Sequence, residues 1–158
     1  MGSETWKVRV RNLKRNMQKK LALEVITQEE SVFKDDVDLV LAPGYQGQIG
    51  ILPGHIGLLT KLQPGELYIL NGPSITILAV SGGLLDVNLD RISIMADSAV
   101  RADDIDIQKV EKAKARAEKA LKEKLSSRDF AIAQADLRKA VLELKVANKK
   151  RYRQLPTQ

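Results

Sequence analysis

Between Asp103 and Arg153 the chain contains neither glycine nor proline. Upstream, turn-forming residues punctuate it at intervals of roughly eight to twelve residues: Pro43-Gly44, Pro53-Gly54, Pro64-Gly65, Asn71-Gly72-Pro73, Ser81-Gly82-Gly83 and Asn88–Asp90. Punctuation that dense leaves no room for crossover helices and cuts a chain into short antiparallel strands. A stretch free of Gly and Pro, rich in Ala, Leu, Lys, Arg and Glu, continues as helix. Two regions of different period are therefore expected, β first and α second.

The strand signal is alternation. Leu21, Leu23 and Val25 alternate with Ala22, Glu24 and Ile26, and Val37, Leu39 and Leu41 with Asp38, Val40 and Ala42. Ile92, Ile94 and Ala96 alternate with Arg91, Ser93 and Met95. Both phases are apolar over Ile75–Val80, which predicts a strand buried on both faces. With aromatics at 4%, the core must be built from Leu, Ile, Val and Ala. The fold class predicted is a β-sandwich of about ten short strands over residues 21–102, followed by an antiparallel two-helix hairpin over residues 103–153 and a tail over residues 154–158.

The first helix is expected to open at Asp103 or Asp104, acids in its first turn matching the helix dipole. Its apolar stripe is Ile105/Val110, Ala113, Ala117, Ala120/Leu121 and Lys124/Leu125. Ser126-Ser127-Arg128-Asp129 breaks it and offers N-caps to a second helix. The second stripe is Phe130, Ala133, Leu137, Ala140/Val141, Leu144 and Ala147. Such a seam buries little area at ~0.8 kcal/mol per CH₂, so the hairpin is expected to pack lightly and to be able to detach or unfold.

The net charge of +6 hides an uneven distribution. Residues 1–20 carry 7 Lys/Arg and 1 acid; residues 21–102 carry 4 and 10; residues 103–158 carry 15 and 9. An acidic block thus lies between two basic ones. Within the first block, Trp6, Val10, Leu13 and Met17 fall on one helical face, whereas Val8 and Val10 alternate as in a strand. Both readings stay open, as do a basic tail and a helix that docks on a partner or a membrane surface. The block lacks the apolar stretch of a secretory signal, and no apolar run approaches the roughly 18–20 residues of a membrane span.

Catalytic chemistry finds little footing. The absence of cysteine removes disulfide scaffolds, thiol catalysis and zinc ribbons, and a single histidine removes His-rich metal sites. No Walker-type phosphate loop occurs. His55 follows a Pro-Gly turn and precedes an apolar run, which reads as a structural or surface histidine. Asp35-Asp36 reads as a hairpin turn and Asp103-Asp104 as a helix start. No cofactor and no metal are expected.

Two segments are more specific: Gly47-Gln48-Ile49-Gly50-Ile51-Leu52-Pro53-Gly54-His55-Ile56-Gly57-Leu58-Leu59, and Val80-Ser81-Gly82-Gly83-Leu84-Leu85-Asp86-Val87 followed by Arg91–Asp97. Paired glycines in mid-sheet point to a bulge or a close backbone approach. These segments closely resemble the ε-subunit family of bacterial and chloroplast F-type ATP synthases. The family pattern is Gly-x-x-Gly-x-Leu-Pro-Gly-His-x-x-Leu-Leu, then Pro-Gly, then Ser-Gly-Gly-x-Leu-x-Val, then an Ala/Lys/Glu-rich helical hairpin. The resemblance runs from about Leu21 to about Lys149 and leaves residues 1–20 outside.

The resemblance implies a non-catalytic subunit of the central stalk, with the γ subunit, the c-ring and the α/β catalytic head as partners. The sandwich would dock on γ and on the c-ring, with Tyr45, Gln46, Gly47 and Gln48 as the loop facing the ring and His55 in the same lower region. Some members carry Glu where Gln48 stands. The hairpin would lie against the sandwich in a compact state. In an extended state it would reach the catalytic head and impede ATP hydrolysis, its basic face meeting acidic groups there. Lys109, Lys112, Lys114, Arg116, Lys119, Lys122, Arg138, Lys139, Lys145, Lys149, Lys150, Arg151 and Arg153 could supply that face. Members that bind ATP in the hairpin carry Ile/Leu-Asp-x-x-Arg-Ala and two arginines in the second helix. Here Ile105, Asp106, Lys109 and Val110 stand in the first part, and Lys139 and Glu143 in the second. Lys forks phosphate less well than Arg and Glu repels it, so ATP binding is expected to be weak or absent. The location implied is peripheral, on the cytoplasmic face of a bacterial plasma membrane or the stromal face of a thylakoid, with membrane contact only through the complex.

Two other readings follow from the residues alone. A basic hairpin could bind nucleic acid, but single-strand platforms stack bases on aromatics, which are scarce here. A sandwich enzyme is disfavoured by the lack of any convergent site.

Overall fold

A computed structural model of the protein describes residues 19–153, the side chains of residues 150–153 excepted. The extension expected over residues 1–20, apart from Lys19 and Lys20, and the tail over residues 154–158 lie outside the described residues.

Among the described residues, eight strands form one sheet: β1 (Leu21–Ile26), β2 (Ser31–Val37), β3 (Leu39–Gly44), β4 (Gly47–Ile51), β5 (Leu58–Asn71), β6 (Ser74–Asn88), β7 (Arg91–Ala96) and β8 (Ala99–Arg101). Their order is β2-β1-β7-β6-β5-β3-β4, with β8 pairing β6. All pairings are antiparallel except β1 with β7. The sheet folds over itself, for β2 touches β5 and β8, which the strand order places far from it. Leu23, Val40, Ile51, Leu67, Leu78, Leu85 and Ile92, drawn from six strands, consequently share one buried cluster. Its members are all Leu, Ile, Val and Ala, as the scarcity of aromatics required.

Two long strands account for the difference between eight and the expected ten. Pro64-Gly65 and Ser81-Gly82-Gly83 lie inside β5 and β6 rather than between strands. β6 pairs with β7 over 83–88 and with β8 over 78–80, so it passes from one layer to the other at its glycines. Gly83 has φ +135°, and a Cβ there would stand 2.1 Å from the Met95 carbonyl oxygen. The paired glycines thus serve a close backbone approach, one of the two roles expected of them, the other being a bulge. The run read as one strand from Val37 is split at Asp38. That carboxylate accepts from Gly72 N at 2.6 Å and pairs with Lys20 at 2.6 Å, pinning the β2–β3 junction to the β5–β6 turn.

After β8, Ala102–Asp104 forms a 3₁₀ turn; α1 (Ile107–Ala120) and α2 (Ser127–Arg153) follow. α1 opens three to four residues later than Asp103 or Asp104 because Asp106 takes the N-cap, its carboxylate accepting from Lys109 N at 3.2 Å. Ser126 caps α2: its Oγ accepts from Asp129 N at 3.1 Å and donates to Asp129 Oδ2 at 2.6 Å. The buried members of the inter-helix seam are Val110, Ala117, Ala133 and Ala140. Phe130, placed in that stripe by spacing, is instead exposed; Asp129 and Ala133 are the residues of that part of α2 that line the groove against α1.

Candidate functional site

α2 buries a second face. Val146 is fully buried and packs with Leu142 against Ile77, Ala79 and Tyr68. Cross-strand pairing sets this patch on the outer face of the β5–β6 hairpin: Glu66 faces Ala79 and Tyr68 faces Ile77. Both phases of β6 are therefore buried at Ile77–Val80, one phase by the sandwich core and the other by α2. Alanine at 79 leaves room for the helix to approach.

Beside the apolar patch lies a polar cluster. The Glu66 side chain is only 10% exposed. Lys149 Nζ donates to Glu66 Oε2 at 2.5 Å and to the Tyr68 hydroxyl at 2.9 Å, and that hydroxyl donates to Oε2 as well. Lys145 Nζ stands 3.1 Å from Oε1, a charge partner without an aligned hydrogen bond. Burial pushes the Glu66 carboxyl up. The hydrogen bonds from Lys149 and Tyr68 and the adjacent Lys145 ammonium outweigh burial and hold it at about 2. The same bond to Glu66 raises Lys149 above its ordinary value. The cluster escaped the sequence reading, which placed both lysines on the basic face that meets the catalytic head. The available signal was two pairs of residues four apart, Leu142/Val146 and Lys145/Lys149, running beside the alanine seam.

A groove of about 840 Å³ runs between the helices and the 3₁₀ turn. It gathers Ile105, Asp106, Lys109, Arg116, Lys139 and Glu143, so residues far apart in sequence meet at one place. Asp104, Asp129 and Asp136 also line it. Burial raises the Glu143 carboxyl against the opposing charge of Lys139.

Tyr45, Gln46, Gly47 and Gln48 form the exposed β3–β4 turn. The turn is braced by the Gln63 side chain, which donates to the Tyr45 carbonyl. His55 lies on the loop between β4 and β5. That loop is tied to the β6–β7 turn, where Gly54 N donates to Asp90 Oδ1 at 3.1 Å. His55 Nδ1 lies 2.7 Å from the Ile56 carbonyl oxygen.

The basic side chains of the hairpin do not share one face. Lys109, Arg116 and Lys139 line the groove. Lys112, Lys119, Lys122 and Arg138 are exposed on the helices. Lys114 pairs with Glu118, and Lys145 and Lys149 face the sandwich. The side chains of Lys150, Arg151 and Arg153 lie outside the described residues.

Comparisons with known proteins agree over both regions. The family model for the ATP synthase delta/epsilon chain β-sandwich domain matches residues 20–102, and that for its long α-helix domain matches residues 103–148. The ATP synthase epsilon chain of Herpetosiphon aurantiacus is 46% identical over 135 residues, covering 85% of this chain and 98% of that one. The epsilon chain of Dehalococcoides mccartyi is 47% identical over 133 residues, covering 84% and 95%. Among solved structures, a chain of the Euglena gracilis mitochondrial ATP synthase OSCP/F1/c-ring assembly superposes with a TM-score of 0.66 at 21% identity, covering 87% of this chain and 84% of that one. A chain of the Tetrahymena thermophila mitochondrial ATP synthase central stalk and c-ring gives 0.57 at 15% identity, covering 82% and 97%. These likenesses concern the fold; the family rests on the sequence matches, and the chain belongs to the ATP synthase delta/epsilon chain family.

Proposed function

We propose that this chain is a non-catalytic rotor subunit of an F-type ATP synthase. It couples the c-ring to γ through its sandwich and restrains ATP hydrolysis through its helical hairpin. The observation that carries the reading is how the hairpin is held. One buried valine, a few half-buried apolar neighbours and one ion cluster join α2 to the sandwich. The sandwich core is a separate cluster that contains no residue of α1 or α2. A hairpin held this way can leave while the sandwich stays folded and docked. The chain would sit at the membrane through the complex, on the cytoplasmic or stromal face. No helix among the described residues is long and apolar enough to cross a membrane.

Removing residues 103–158 from the assembled complex tests the inhibitory role. ATP hydrolysis is expected to rise while γ and the c-ring still copurify with the truncated chain. Unchanged hydrolysis in an intact complex would show that the hairpin does not inhibit.

A further inference from the structure

Lys145 and Lys149 lie one helical turn apart on α2, and like charges at that spacing repel on a free helix. In the structure a single carboxylate answers both: Oε1 of Glu66 for Lys145 and Oε2 for Lys149. The pair sits beside Leu142 and Val146, so the α2 face is an apolar strip edged by two ammoniums. The sandwich supplies its complement: Ile77 and Ala79 for the strip, Tyr68 at the border, Glu66 for the charges. Glu66 is on a strand and cannot follow the helix. Once α2 lifts, the two ammoniums and the strip become available together, and any partner that takes this face must offer a carboxylate beside apolar surface.

We propose that Glu66 is an internal competitor for the Lys145/Lys149 face, so that an acidic partner surface captures the hairpin only by displacing it. This rests on the reading above, that the hairpin leaves the sandwich to inhibit. It adds that the docked and released states use the same two lysines. The state of the hairpin is then set by which carboxylate holds them, and Glu66 sets the threshold.

The full-length chain has no native cysteine, so Ser74→Cys on the β5–β6 turn and Asn148→Cys on α2 accept a spin-label pair without background. Glu66→Gln in that protein is expected to raise the released fraction roughly tenfold or more, the size of losing a charged hydrogen-bond partner. In the assembled complex, Glu66→Gln should deepen inhibition of hydrolysis. The triple swap Glu66→Lys, Lys145→Glu, Lys149→Glu should restore the docked distance yet abolish inhibition, because the released face then repels acids. Should Glu66→Gln fail to fold, Lys145→Gln with Lys149→Gln leaves the sandwich untouched and should release the hairpin equally. A label distance indifferent to Glu66→Gln, with sandwich melting unchanged, overturns the proposal even if truncation after Ala102 stimulates hydrolysis. Release by Glu66→Gln with hydrolysis indifferent to that truncation supports Glu66 as the latch and overturns the inhibitory reading instead.

Discussion

Glu66 stands in a strand position whose cross-strand neighbour, Ala79, is buried under α2, and its charge survives there only because two lysines and a phenol answer it. The sign of the pH dependence follows. A carboxyl held at about 2 when docked, against an ordinary 4.5, contributes its full stabilisation above 4.5 and loses it as pH falls through about 2. Lys149, raised above its ordinary 10.5, contributes fully below 10.5 and loses its share above. Docking should therefore hold from mildly acidic to mildly alkaline pH and fail in acid. An NMR titration of the Glu66 side chain should show the low value in the native protein and a clear upward move in Lys145→Gln with Lys149→Gln. A titration near 2 in both proteins would show that the lysines are not the cause. Nothing in the residue order marked Glu66. The helix that covers it comes some 80 residues later, between Leu142 and Lys149.

At the level of elements, the helical hairpin and the β5–β6 hairpin differ in how much they bury. Val110, Ala117, Ala133 and Ala140 close the helical seam, while Leu67, Ile69, Leu78, Val80, Leu85 and Val87 anchor the long strands. At ~0.8 kcal/mol per buried CH₂, the alanine seam contributes much less. Native-state hydrogen exchange should find amides of α1 opening by local fluctuation, at least about 100-fold faster than those of β6, which open only with the whole sandwich. Equal protection would remove the argument for a separable hairpin. The seam was legible because alanines recur at helical spacing without Gly or Pro. The length of β5 and β6 was not, because Pro64-Gly65 and Ser81-Gly82-Gly83 look like turns locally. Whether such a pair ends a strand or bends it depends on the neighbours that keep the ladder paired.

Across the whole molecule, charge and shape separate by region. The acidic sandwich receives the basic hairpin through Glu66, and Lys19 and Lys20 of the N-terminal block pair with Asp90 and Asp38. The groove between the helices brings Lys109 and Lys139 together, but with Asp104, Asp106, Asp129, Asp136 and Glu143 around them. Carboxylates at that density oppose a polyphosphate. Calorimetry with ATP and magnesium on the full chain is expected to detect no binding at micromolar ligand. A micromolar dissociation constant would show that Lys109, Arg116 and Lys139 suffice against the surrounding carboxylates.

By itself, the sequence determined the succession of strands and helices, the aliphatic core, the alanine seam and the family. Each of these is written in local spacing, and local spacing is sufficient because side-chain direction follows from backbone period. The tertiary structure alone decided where the hairpin rests and that Lys145 and Lys149 are engaged by Glu66. Those outcomes depend on which surfaces meet across long separations in the chain, and neither alternation nor helical spacing carries that information.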